Sequence, residues 1–233
     1  MDENQRIKQE IKNLSPSEKI RHIWFYYKWF ILFAVIVIGF ALTCFVQCAN
    51  NKEPDAVIMY AGPQHMSSAY YKYIDSAFSD IMTQDSNGDG AKSVDLVEIT
   101  LATSLPQTNG QTVQSLQQDT NRERFYIERT TGPSVIYLID KKIYPSMKGT
   151  VCSLEEILGY TPENAYDEYG IALSSLECYK YTDMRYLPSD AILCIRKQRE
   201  FSMIKGNDSD EFYSSNVEFF KDIVNWTQPE ETN

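Results

Sequence analysis

The run Asp85-Ser86-Asn87-Gly88-Asp89-Gly90 carries the sharpest chemical signal in this chain. Its pattern is D-x-N-x-D-G, in which side-chain oxygens at alternate positions converge on a hard cation and the glycine permits the sharp turn. Asp85, Asn87 and Asp89 are therefore the candidate Ca²⁺ ligands, with the Ala91 carbonyl next in order. A complete EF-hand needs a bidentate acid at the twelfth position, and Leu96 stands there. The same six residues also make a polar turn, because Asn-Gly and Asp-Gly adopt positive φ at little cost. Any bound calcium is expected to be structural, and no other cofactor is expected.

Catalytic patterns are sparse. The chain has two histidines, His22 and His65, and no H-E-x-x-H, G-x-S-x-G or Cys/His zinc spacing. Ser202-Met203-Ile204-Lys205 fits S-x-x-K, but the companion S-D-N and K-T-G motifs are missing. No catalytic residue is assigned and the chain is read as a non-enzyme. A ligand site is expected where the strands end, because open α/β sheets bind ligands beyond the carboxyl ends of their strands. Gly62, His65, Ser104 and Asp140 follow or close the predicted strands, so they are the candidate ligand-binding residues. Tyrosines crowd residues 160–186, where their rings could stack on sugars or simply pack with their hydroxyls in water.

The elements that must position these groups alternate. Ala56–Ala61, Val94–Leu101, Ser134–Ile139 and Asp190–Arg196 are short apolar runs that read as buried strands. Between them lie a helix capped by Ser67 or Ser68, with Tyr70, Ile74, Ala77, Phe78 and Ile81 on one face, and a second helix ending near Glu128. A capping box at Ser153-Leu154-Glu155-Glu156 opens a short helix that Gly159 ends. Residues 160–188 are expected to be irregular. A last helix carries Phe212, Phe219, Phe220, Ile223 and Trp226. The fold class is α/β, with a layered mixed or parallel sheet and flanking helices.

Ahead of this domain, Trp29 to Asn51 runs for 23 residues without a charge. At 1.5 Å per residue, about 20 apolar residues cross a bilayer core. The reading is a cytoplasmic head over 1–28, a single transmembrane helix over 29–49, a linker over 50–54 and an extracytoplasmic domain over 55–228. The helix is expected to start at Ser15-Pro16, and Trp24, Phe25, Tyr26, Tyr27 and Trp29 form an interfacial belt. Six Lys/Arg against four Asp/Glu give the head a net charge of +2, which leaves −12 of the stated −10 to the rest. Positive flanks stay inside, so the C-terminal domain is placed outside the cell. Its partners are the bilayer, through residues 29–49, and an extracytoplasmic ligand or envelope protein. An acidic domain lacks the basic stripe that nucleic acid requires. A cleaved signal peptide would need a shorter apolar core and a small-x-small exit, which Cys44-Phe45-Val46-Gln47-Cys48-Ala49 does not offer. Cys152, Cys178 and Cys194 could supply one disulfide or remain buried thiols.

Two sets of segments carry a resemblance. KIRHIWFYYKWFILFAVIVIGF resembles the Tyr/Trp/Lys-flanked anchor of clostridial-type Gram-positive membrane proteins. FYIERTTGPSVIYLID, LEEILGY, YGIAL and LPSDAILCIR resemble one lobe of an extracytoplasmic solute-binding protein, over roughly a third of the chain. The resemblance implies a membrane-tethered domain that binds a ligand or a protein. A full solute-binding protein clamps its ligand between two lobes, and residues 55–228 suffice for one. The other readings are a membrane-anchored envelope hydrolase, which needs a pair of carboxylates, and a structural subunit of an envelope complex.

Overall fold

The computed structural model describes residues 15–50, 53–102, 113–198 and 210–229, in two units, Met1–Lys52 and Glu53–Asn233. In the first unit one helix, α1, runs from Pro16 to Asn50, starting where Ser15-Pro16 predicts. Within it Tyr27–Val46 is long and apolar enough to cross a membrane, and none of that stretch is buried inside the protein. A signal sequence near an N-terminus satisfies the same criteria of length and composition. Asn50 belongs to α1, so the expected linker over 50–54 begins one residue late.

The second unit is mixed α/β. β1 (Ala56–Gly62), β2 (Val94–Thr100), β3 (Ile136–Asp140), β4 (Ile171–Ala172) and β5 (Ala191–Ile195) form one sheet in the order β2-β1-β3-β5-β4. β1 pairs in parallel with β2 and β3, whereas β5 is antiparallel to β3 and to β4. The parallel pairs need crossovers, and α2 (Ser68–Ile81) and α3 (Val113–Thr131) supply them. After β3 the chain turns down through a 3₁₀ turn, Tyr144–Met147, to the opposite edge, where Val151 bridges Arg196. It returns through α4 (Leu154–Leu158), β4 and α5 (Glu177–Tyr181), so β5 starts beside the end of β3 and runs the other way. α6 (Asp210–Asn225) closes the order. Residues 160–188 are therefore less irregular than their composition predicts: they hold β4, α5 and two 3₁₀ turns, Leu173–Ser175 and Asp183–Tyr186.

Local signals explain the helix ends. Ser67 accepts from the Ala69 amide to cap α2, and Ser153 accepts from the Glu156 amide to cap α4. Gly159, at φ +80°, ends α4 in the left-handed conformation a glycine adopts without strain. Both sheet faces are covered over β1, β3 and β5, whose residues are all buried, whereas the edge strand β2 (VDLVEIT) is only partly buried. On one face Ile58, Tyr60 and Leu138 pack with Ile74 and Phe78 of α2 and with Phe219, Phe220 and Ile223 of α6. On the other, Met59, Tyr137, Ile139 and Cys194 meet Tyr144, Met147, Val151 and the half-buried Phe125 of α3. Cys152, Cys178 and Cys194 are buried free thiols, with no disulfide among them. Burial pushes the Cys178 thiol up to about 12.

A buried acid fastens the amino end of β1. Asp55 is 1% exposed, and its two carboxylate oxygens accept from the amides of Ser86 (2.7 Å), Asn87 (3.1 Å) and Ser93 (2.9 Å). Asp55→Ala leaves three amides without that acceptor and is expected to cost about 3 kcal/mol or more. Asp55→Asn, which keeps one acceptor oxygen, should lose less. Urea unfolding of the two variants checks the order.

Candidate functional site

The parallel register brings the ends of β1, β2 and β3 to one edge of the sheet. Tyr60 faces Glu98 across the β1–β2 pair, two residues before Gly62. The Tyr60 hydroxyl folds under Gly62, where a Cβ would overlap it, so this position requires glycine. The Glu98 side chain is only 9% exposed and collects donors from three directions. His65 Nδ1 lies 2.6 Å from Oε1, the Tyr71 hydroxyl donates to Oε2, the Thr100 hydroxyl lies 3.3 Å from Oε1, and the Met66 amide reaches both oxygens at 3.3–3.4 Å. A carboxylate oxygen accepts, so in this pair His65 Nδ1–H is the donor to Glu98 Oε1. The imidazole is 77% exposed. A buried acid thus holds an exposed imidazole. Burial first, then the Glu98 hydrogen bond and charge, push the Tyr71 phenol up.

Asp140 closes β3 at the same edge. It is 2% exposed, and its Oδ1 accepts from the Lys142 amide at 2.8 Å. The β3–β5 register sets Asp140 opposite Ala191, which brings the neighbouring Asp190 close enough for its charge to act on Asp140. Burial first, then the charge and hydrogen bond of Asp190, raise the Asp140 carboxyl above its ordinary range, while the Lys142 amide opposes the shift. The Tyr60 phenol is pushed up by its burial first, and the charges of Asp190, Asp140 and Glu98 add to that.

No family model, no curated protein and no solved structure matches this chain. Its site is therefore defined by its own geometry.

Of the four candidate ligand-binding residues, Gly62, His65 and Asp140 meet at this edge, and Ser104 lies outside the described residues, as does Ser202–Lys205. Sequence reasoning missed Glu98, Tyr71 and Asp190 as site members. The alternation of strands and helices signals a parallel β1–β2 pair, but only the register sets Glu98 beside His65.

The Asp85–Gly90 loop is closed by its own side chains. Asp85 accepts from the amides of Gly88 and Gly90, each at 2.8 Å, Asn87 from Asp89 at 2.9 Å, and Asp89 from Ala91 at 2.8 Å. Gly88 and Gly90 take φ +71° and +82°, as the turn reading expects. Each accepting oxygen keeps a second lone pair that a cation could use. Among the described residues no group of three or more His, Cys, Asp or Glu side chains is placed to hold a metal ion.

The Asp140–Asp190 contact has a pH signature. A carboxyl raised in the folded state stabilises the fold fully below its unfolded pKa of about 3.9, and that stability is lost as pH rises through the folded value. Asp190→Asn removes the like charge and keeps a hydrogen-bonding group. Its stability relative to wild type should therefore increase from acidic to neutral pH in parallel urea titrations. A difference that stays constant with pH would contradict the influence of Asp190 on the Asp140 carboxyl.

Proposed function

We propose that this chain is a single-pass membrane protein with a cytoplasmic N-terminus and an extracellular α/β unit that binds a ligand or an envelope protein and catalyses no reaction. The observation that carries the membrane reading is Tyr27–Val46, an apolar helical stretch with none of its length buried in protein. Such a surface is costly in water and stable in lipid. The basic head supports the orientation. The edge built by Glu98, His65, Asp140 and Asp190 supports binding, because buried acids hold polar groups ready at the carboxyl ends of the strands. The resemblance of the segments FYIERTTGPSVIYLID, LEEILGY, YGIAL and LPSDAILCIR to one lobe of a solute-binding protein supports that role. Nucleic acid is not a proposed partner.

Lys180 is exposed, so Lys180→Cys provides a surface thiol on the α/β unit. In intact cells it is expected to react with a membrane-impermeant maleimide, and the chain should resist carbonate extraction with Met1 or its immediate neighbours still attached. Labelling only after lysis would reverse the orientation. A mature N-terminus beyond Val46 would replace the anchor with a cleaved signal.

Calcium at Asp85, Asn87 and Asp89 belongs to the same proposal, as a clasp between α2 and β2. With Leu96 at the position of the missing acid, the expected affinity is in the ~10⁻⁴–10⁻³ M range. Millimolar Ca²⁺ should raise the melting temperature of wild type above that in chelator, and Asp85→Ala/Asp89→Ala should abolish the difference. Equal wild-type melts would leave the loop a turn alone.

A further inference from the structure

A concavity lies away from the sheet edge, between α2, α5, the 183–186 turn and the residues after α6. It encloses about 400 Å³, within the range of small-ligand sites. Tyr181 and Trp226 give it aromatic walls, while Asp80, Asp183 and Arg185 give it polar ones. Tyr181 is 58% exposed. Arg185 reaches Asp183 at 3.4 Å and also lies 5.6 Å from the centroid of the Tyr186 ring, so it joins the groove to a neighbouring aromatic shelf. In that shelf Tyr70 stacks on Tyr186 with ring centroids 4.5 Å apart and planes 7° apart, and Tyr73 leans on the same ring at 5.9 Å. Tyr73 and Asp80 stand two helical turns apart on one face of α2, so shelf and groove run along the same side of that helix. Tyr70 and Tyr73 remain exposed.

We infer that this groove and shelf bind a neutral oligosaccharide. A pyranose offers an apolar C–H face, which Tyr and Trp rings match, and a rim of hydroxyls that both donate and accept. Carboxylates accept from such hydroxyls and a guanidinium donates to them in pairs. Two carboxylates against one guanidinium leave the groove negative, which disfavours phosphate, sulfate and carboxylate ligands. Helices and turns line it, so an extended peptide finds no sheet edge to join. The aromatic surface continues past the groove, which suits several linked sugar rings better than one. This inference does not rest on the His65–Glu98 edge.

The test uses the full chain in lipid nanodiscs, free of sugar-based detergent. The probes are cellopentaose, chitopentaose, xylopentaose and maltopentaose, each with its monosaccharide. The chain has three tryptophans, so in a Trp24→Phe/Trp29→Phe background Trp226 fluorescence reports on the groove. At least one pentasaccharide should bind saturably, shift that fluorescence and exceed its monosaccharide in affinity. Tyr181→Ala and Arg185→Ala should each weaken binding about tenfold or more, while Tyr181→Phe, which keeps the ring, and His65→Ala should retain it. The inference is overturned if no pentasaccharide binds, if binding is unchanged in folded Tyr181→Ala, or if a sulfated disaccharide or spermidine binds more tightly than every neutral probe. Loss of binding in His65→Ala would move the sugar to the sheet edge and also overturn it.

Discussion

The constraint on which the α/β unit depends is the placement of β1 between two parallel neighbours with both its faces covered. All seven residues of β1 are buried, so its backbone hydrogen bonds must be made within the protein. Parallel pairing obliges the chain to leave and return by helices, which deliver their own apolar faces to the sheet. The same arrangement sends the carboxyl ends of β1, β2 and β3 to a single edge. The site at that edge follows from the core.

Several of the chain's acidic side chains are enclosed, and they differ in what encloses them. Asp55 is held by backbone amides of the 86–93 segment. Asp167 is similar: burial alone would raise its carboxyl, but the Tyr144 hydroxyl, the Tyr169 amide and Lys148 hold it below the ordinary range. Such acids fasten loops to strands, because a buried carboxylate satisfies several amides at once. Glu98 is different. Three of its four donors are side chains, and one of these, His65, lies mostly in solvent. Asp140 is different again, since its close neighbour is another acid, Asp190. Fastening does not call for an exposed imidazole or a like-charged pair, and in that the strand edge contrasts with the Asp55 and Asp167 sites.

Much of the architecture was legible in short stretches. The uncharged run after Lys28 is so long that a helix is its only economical form, and α1 starts at the Pro16 that local chemistry indicates. Ser67, Ser153 and Gly159 end or begin helices by bonds within a few residues, so their roles need no tertiary context. The apolar runs at Ala56, Val94, Ser134 and Asp190 found the four main strands to within one or two residues. β4 escaped, because two residues, Ile171 and Ala172, carry no period of their own and become a strand only by pairing with β5.

By itself the sequence determined what is local: the apolar helix, the caps, the buried strands, the Asp85–Gly90 turn, and an α/β class with its flanking helices. Each of these depends on side chains and backbone within one or two turns of chain. Tertiary structure alone decided which way β5 runs, which carboxylates meet and what surrounds them. Asp140 and Asp190 are 50 residues apart in sequence, and His65 and Glu98 are 33 apart. Their contacts exist because the crossover through α2 fixes the β1–β2 register and the descent through Val151 turns β5 against β3. Register is a property of the whole sheet, set by the packing of both its faces, and no single segment of the chain encodes it.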